Sequence, residues 1–209
     1  MIDTHTHIYL EEFDEDRVEV VRRAREAGVE RVILPNVDFD TVQAMHATND
    51  LFPGYCRMAM GLHPTSVEAD YRERLGQVRE LLFSGEYCAV GEIGLDLYWD
   101  KTYAEEQKEA FVMQTGWAAE SGLPVIIHCR EAFDEILALL QSGRVPAYIA
   151  RNRCSVFGSR ALSRQAERTF VFALYGKANS RNSGYYDCRG GGGYHGQCCA
   201  IVRRRVIPG

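Results

Sequence analysis

Five short apolar runs recur along the first two thirds of the chain, each the length of a buried strand, and stretches with helical periodicity separate them. The runs are Met1–Ile8 (MIDTHTHI), Arg31–Val37 (RVILPNV), Cys56–His63 (CRMAMGLH), Tyr87–Leu95 (YCAVGEIGL) and Pro124–Arg130 (PVIIHCR). A first helix is predicted over Asp14–Ala27, with Val18 and Val21 near one face and Gly28 as its stop. Asp38 is a good N-cap for a second, which carries Val42 and Met45. The third covers Val67–Phe83 and closes at Gly85. A fourth, Tyr103–Glu120, carries Phe111, Val112 and Ala118 and ends before Gly122 and Pro124. The fifth starts near Glu131 and carries Phe133, Ile136, Leu137 and Leu140 before Gly143. Strand and helix thus alternate at roughly thirty-residue intervals, the grammar of βα units on a parallel sheet. Five units are complete by residue 143. The fold class is α/β, of the (β/α)8 barrel type, and incomplete: 209 residues are available, whereas a full barrel takes about 250.

Polar residues interrupt these apolar runs in a pattern. A strand alternates its faces, so His5 and His7 share one face, Glu92 and Asp96 share one, and so do His128 and Arg130. His63 closes the third run. In a closed parallel barrel these faces point at one axial cavity, an arrangement that implies a metal-dependent hydrolase. His5-x-His7 presents two imidazoles to one cation, with Asp3 on the same face. Glu92 sits in Val90-Gly91-Glu92-Ile93-Gly94-Leu95-Asp96, where small neighbours leave room for a ligand to approach the backbone. A carboxylate there can bridge two metals; the plainer alternative is a buried acid paired with an arginine or a helix N-terminus. Arg130 suits a bidentate phosphate clamp, or else pairs with Glu131 or Asp134. His63 suits a phosphate-orienting or proton-transfer role, against the alternative of a loop histidine. His46, among polar helical neighbours, reads as a solvated surface residue, and His195 has no site role.

Charge divides the chain. Residues 1–150 hold 13 Lys and Arg against 27 Asp and Glu, and residues 151–209 hold 11 against 2, so the whole-chain −5 conceals −14 followed by +9. An acidic body of this kind does not grip nucleic acid by charge alone, and a phosphate-bearing substrate would need metal ions to hold it. The opening residues show neither a basic n-region nor an apolar h-region, so no signal peptide is expected. No apolar run approaches a membrane span. Seven cysteines, an odd number without a C-x-x-C pair, suit reduced thiols. A cytoplasmic enzyme with no obligate protein partner is the plain reading.

From about Val145 the alternation stops. Nine of nineteen glycines fall in residues 151–209, with Gly190–Gly193 and the Arg203–Arg205 cluster, and the segment is nearly acid-free. Gly190–Gly193 is no phosphate loop, since no strand precedes it and no Lys-Ser/Thr follows. Residues 1–143 therefore read as the barrel portion and 144–209 as an aberrant, poorly core-forming basic tail. Such a tail is either disordered or the product of a reading frame lost near residue 145.

Four motifs, Asp3-Thr4-His5-Thr6-His7, Gly61-Leu62-His63-Pro64, Gly91-Glu92-Ile93-Gly94-Leu95-Asp96 and Ile127-His128-Cys129-Arg130-Glu131-Ala132, occur in an order and spacing that resemble the TatD family of metal-dependent deoxyribonucleases. The resemblance covers about residues 1–142. It implies a (β/α)8 barrel with two divalent cations (Mg, Mn or Zn) and hydrolysis of phosphodiester bonds in DNA. By position, His5 and His7 would hold one cation and His128 the other; Glu92 would bridge them as the catalytic carboxylate. His63, Asp96 and Arg130 would line the substrate pocket. The family's later His-Cys-Phe-Ser-Gly-like and Thr-Asp-Ser/Ala-Pro segments have no counterpart here. The missing Asp is expected to hold the first metal and to orient or deprotonate the attacking water, so activity as written is in question. Strands six to eight are also missing, which predicts an unpaired strand edge. The other readings are a barrel hydrolase of a small phosphate ester or lactone, and a non-catalytic metal-binding fragment or basic-tailed interaction protein.

Overall fold

The computed structural model describes residues 1–147 and residue 149, together with the backbone of residues 155–157, 171–174, 186–187 and 203–204. The tail readings for 144–209, apart from these pieces, and the thiols of Cys154, Cys188, Cys198 and Cys199 lie outside the described residues. Cys56, Cys88 and Cys129 are free thiols, as expected.

Five strands, β1 (Ile2–Asp3), β2 (Arg31–Pro35), β3 (Cys56–Met60), β4 (Ala89–Asp96) and β5 (Val125–Arg130), pair in chain order. All four pairings are parallel. The helices of the five units are α1 (Arg17–Glu26), α2 (Val42–Leu51), α3 (Tyr71–Ser84), α4 (Ala104–Ser121) and α5 (Phe133–Gln141). The result is a curled five-strand half-barrel with its helices packed on it, as the alternation predicted.

Apolar periodicity accounts for the packing. On α3, Tyr71, Leu75, Val78 and Leu82 fall on one face and are all buried. They join a core with Leu34, Met58, Met60, Val125 and Ile127 from alternate strand positions. Each such side chain contributes roughly 1.5–3 kcal/mol relative to exposure. The intervening strand positions, Ile33, Ala59, Ala89 and Ile126, form a smaller cluster on the opposite sheet face. His128 continues the Ile126 face by the strand period of two.

Several local expectations are corrected. The first strand ends at Asp3 instead of running to Ile8; His5 and His7 lie beyond it, tethered by the Thr6 amide donating to Ile33 O at 3.1 Å. Val18 is exposed, and Val20 and Val21 make the buried face of α1. The third helix starts at Tyr71, and a short 3-10 turn over Pro64–Ser66, with Pro64 at its first position, precedes it. Asp38 caps a 3-10 turn, Phe39–Thr41, that leads into α2. On α5, Ile136 and Leu139 are buried while Phe133 and Leu137 stay exposed. The edge of β5 is not unpaired. It carries β7 (Val171–Leu174) antiparallel, which in turn pairs with β6 (Ser155–Phe157). Unsatisfied N–H and C=O groups along an edge recruit an available extended segment.

Candidate metal centre

The chemistry-bearing residues converge where strands β1, β3, β4 and β5 end. Glu92 is 1 % exposed and stands at the middle. Its Oε2 lies 3.2 Å from His5 Nε2, 3.8 Å from His7 Nε2 and 3.7 Å from His63 Nε2, and its Oε1 lies 3.2 Å from His128 Nδ1. Two donor groups share this carboxylate: His5, His7 and Glu92, and His63, Glu92 and His128.

Glu92 faces inward because β4 is irregular. Val90 and Ile93 both pack in the helix-side core, although they are three residues apart, and the pairing with β5 shifts register between them. Regular alternation would send Glu92 to the same face as Val90; the irregularity reverses it. The glycines around Glu92 serve this packing and not ligand access. A Cβ on Gly91 would stand 2.7 Å from Ile126 Cβ, and one on Gly94, whose φ is +148°, 2.0 Å from His128 O.

Hydrogen bonds behind the imidazoles fix which nitrogen faces the centre. Tyr9 Oη donates to Pro35 O at 2.6 Å, so at 3.0 Å it accepts from His7 Nδ1–H, and His7 Nε2 is left with a lone pair. Asp96 Oδ2 accepts from His128 Nε2–H at 2.9 Å, which leaves His128 Nδ1 facing Glu92. His63 Nδ1 lies 2.7 Å from Thr65 Oγ1, which can accept its proton and leave the lone pair on His63 Nε2, 3.0 Å from His128 Nδ1. His5 Nε2 and His7 Nε2 stand 2.9 Å apart, and His5 Nδ1 is buried without a hydrogen-bond partner. Imidazole lone pairs aimed at one another around a carboxylate are the donor set of a divalent cation site, so the residues present fit such an ion.

Without a cation the electrostatics divide the four imidazoles: against the effect of burial, Glu92 raises His5, so a cation would have to displace its proton. Burial opposes charge on Glu92, but the surrounding imidazoles, His5 foremost, hold its carboxyl well below the usual range. Burial also disfavours a charged His128; its bonds to Asp96 and Glu92 override that and push it up to about 9. Burial lowers His7 to about 4 and His63 to about 3. These two are therefore neutral at neutral pH, the form a cation requires.

The structure thus brings together His5, His7, His63, Glu92 and His128. Asp96 is 3 % exposed; its Oδ1 accepts from the Tyr98 amide at 3.1 Å and its Oδ2 from His128 Nε2–H at 2.9 Å. Through these bonds it holds the His128 ring in place, on the side away from Glu92. Arg130 stacks on Tyr98 and Trp99, its Cζ 4.0 and 4.9 Å from the ring centroids. His46 is a further correction, half-buried with Nε2 2.9 Å from Tyr87 Oη.

Several supporting residues went unread in the sequence. Asn36 donates to Gly61 O at 2.9 Å, and its own carbonyl accepts from the Glu92 amide at 3.2 Å. From α4, Gln107 Oε1 accepts from the Asp96 amide at 2.9 Å, and Gln114 Oε1 from the Leu62 amide at 2.7 Å. The signal was available: two glutamines seven residues apart on the buried face of a helix need buried partners.

Fold and site together define a barrel-type hydrolase with a His/Glu cluster that could hold a cation. The chain belongs to the TatD related DNase family, whose model matches residues 2–172 and so runs past the four motifs. It is 32% identical over 177 residues to the uncharacterized metal-dependent hydrolase YabD of Bacillus subtilis strain 168, covering 84% of this chain and 68% of that protein. It is 36% identical over 141 residues to the 3'-5' ssDNA/RNA exonuclease TatD of Pantoea sp. strain At-9b, covering 68% of this chain. It spans 54% of that exonuclease, about half its length. The crystal structure of YJJV, a TatD homologue from Escherichia coli K12, superposes with a TM-score of 0.62 at 32% identity, covering 68% of this chain and 55% of YJJV. Among the described residues, no helix is long and apolar enough to cross a membrane.

Proposed function

We propose that this chain is the cation-binding part of a TatD-type phosphodiesterase acting on single-stranded nucleic acid with two divalent cations. The observation that carries it is Glu92, one buried carboxylate shared by two donor groups. His5, His7 and Glu92 would hold one cation; Glu92, His128 and His63 would hold the other, so His63 takes a ligand's place and not only a substrate contact. Bound cations would activate a water and stabilise the leaving oxygen. Tyr9 and Asp96 keep His7 and His128 in the tautomers that bind metal. Arg130, on the neighbouring β5 end, supplies a guanidinium for a backbone phosphate.

Support for the substrate class comes from the exonuclease relative and from the acidic body, which needs cations between it and a phosphate. Single-stranded DNA and RNA oligonucleotides, duplex DNA, a small phosphate monoester and a lactone would be assayed side by side, with manganese and with EDTA. Cation-dependent cleavage of single strands is expected. Turnover of the small ester or lactone alone would move the reading to a small-molecule hydrolase; two bound cations without turnover would make the chain a non-catalytic metal binder. Failure of manganese to bind, or binding unchanged in Glu92→Gln, would remove the proposal.

We assign the change of composition near residue 145 to loss of reading frame. Sequencing the coding DNA across codons 140–210 and translating all three frames tests this. Another frame supplying the His-Cys-Phe-Ser-Gly-like and Thr-Asp-Ser/Ala-Pro segments is expected; their absence from every frame would make the tail genuine. Such an enzyme would work in the cytoplasm.

A further inference from the structure

We infer that Tyr98 and Trp99, backed by Arg130, form a stacking platform that seats an unpaired nucleobase beside the cation centre. The inference rests on the nucleic-acid reading above and names how the substrate is held. Trp99 is 68% exposed and Tyr98 51%, in the segment that directly follows β4. Their rings meet edge to face with centroids 4.8 Å apart. Arg130 lies over both, its Cζ 4.0 Å from the Tyr98 centroid and 4.9 Å from that of Trp99. An isolated exposed aromatic residue needs no explanation. A tyrosine-tryptophan pair held in place by a guanidinium is a different object.

Its position is set by the metal centre itself. Asp96 accepts from the Tyr98 amide through Oδ1 and from His128 through Oδ2, so one carboxylate anchors both the platform and a cation ligand. The Leu97 amide donates to Arg130 O at 2.9 Å, which ties the aromatic segment to β5. A strand whose phosphate reached the His128 side would bring a flanking base over this surface. Charge argues the same way. With −14 over residues 1–150, backbone attraction cannot hold a polyanion. Stacking can, because it acts on the uncharged base and tolerates any sequence. Duplex DNA, its bases already stacked, could not use the platform, which gives the site a preference for single strands.

The chain carries its own reporter. It has two tryptophans, and Trp117 is buried in the core, so a change of emission on adding a ligand reads Trp99. The full chain would be titrated with oligodeoxythymidylate of about eight nucleotides, within the usual site size, and with an abasic strand of equal length. Each titration would be made with calcium and with EDTA. Quenching by the base-bearing strand and not by the abasic one is expected. Trp99→Ala should abolish the quench and weaken binding about 5- to 150-fold, raising KM for that strand, while Trp99→Phe retains most of the affinity. Equal quenching by the abasic strand, or binding within about twofold of wild type in Trp99→Ala, would overturn the platform, since stacking is worth more than that. Base-dependent quenching without hydrolysis of any strand keeps the platform and removes the catalytic reading. Hydrolysis of base-bearing strands with no Trp99 dependence keeps the catalytic reading and removes the platform.

Discussion

Asp96 is where the structure and the expectation of a substrate contact differ most, and Asp96→Asn tests the difference. The carboxylate is 3 % exposed and accepts from His128 Nε2–H at 2.9 Å and from the Tyr98 amide at 3.1 Å. Asparagine keeps the shape and can still accept one of these bonds, so the fold should survive. The charge-assisted bond to His128 becomes a neutral one, roughly half as strong. Hydrogen bonds to charged groups contribute about 1.5–3 kcal/mol, so roughly 1 kcal/mol of orientation is lost from this term alone. Loss of a partner behind a metal-binding histidine typically costs 10–100-fold in affinity, or about 1.4–2.7 kcal/mol. The two routes overlap near the lower end, and a loss of about tenfold is the expected result.

The assay is calorimetric titration of chelated protein with manganese, followed by cleavage of a single-stranded oligonucleotide. One cation should weaken, the one on the His63, Glu92 and His128 side, while the His5 and His7 side keeps its affinity. Circular dichroism and thermal unfolding confirm that the variant is folded. Unchanged cation binding with a raised KM would refute the reasoning and return Asp96 to the substrate pocket. Equal weakening of both cations would also refute it, because His5 and His7 do not touch this carboxylate.

Tyr9→Phe makes the corresponding test on the other side. It removes the acceptor of His7 Nδ1–H, and the cation held by His5 and His7 should weaken 10–100-fold by calorimetry while the fold is retained. Gly94→Ala should destabilise by more than about 3 kcal/mol, since its Cβ would meet His128 O at 2.0 Å and φ is +148°; thermal unfolding or loss of soluble protein reads this, and a variant as stable as wild type would contradict the packing argument. Cation binding stabilises by mass action: at a free concentration of a hundred times Kd the gain is about 2.7 kcal/mol, and EDTA should lower Tm by about 5–11 °C. An EDTA-independent Tm would mean that the cluster takes no ion in solution.

The positions of His5, His7, His63, Glu92 and His128 were legible in the sequence because strand ends and residue types suffice to place them near one axis. Their orientation was not. Alternation reads Glu92 onto the face of Val90, and only the register shift between Val90 and Ile93 turns it inward. Gly91 and Gly94 advertised that irregularity, yet in sequence a glycine kept for close strand approach looks the same as one kept for a ligand. Asp96 shows the second limit. Two residues four apart on one strand share a face, but which one stands among four imidazoles and which one touches just one, that of His128, depends on the reach of side chains from β5. The unpaired edge beside β5 failed as an expectation for a third reason: period and propensity describe segments one at a time, whereas the β5–β7 pairing joins residues some fifty positions apart.

The candidate donor groups and the residue expected to assist turnover fall in different parts of the sequence. Every donor atom of the two groups comes from residues 5–128, and the partners that orient them, Tyr9, Asn36, Asp96, Gln107 and Gln114, come from the same span. The five βα units therefore carry both candidate donor groups and the partners that orient them. The family resemblance gives an acidic residue in a Thr-Asp-Ser/Ala-Pro segment, which this chain lacks, two roles: holding the first cation, and orienting or deprotonating the attacking water. General acid–base assistance is worth about 10²–10⁴-fold in rate, and the lost ligand should also weaken the cation on the His5 and His7 side. A chain that loads two cations and cleaves slowly is the consistent outcome, and full-rate cleavage would mean that an acid within the first five units, Glu92 foremost, also serves as the base.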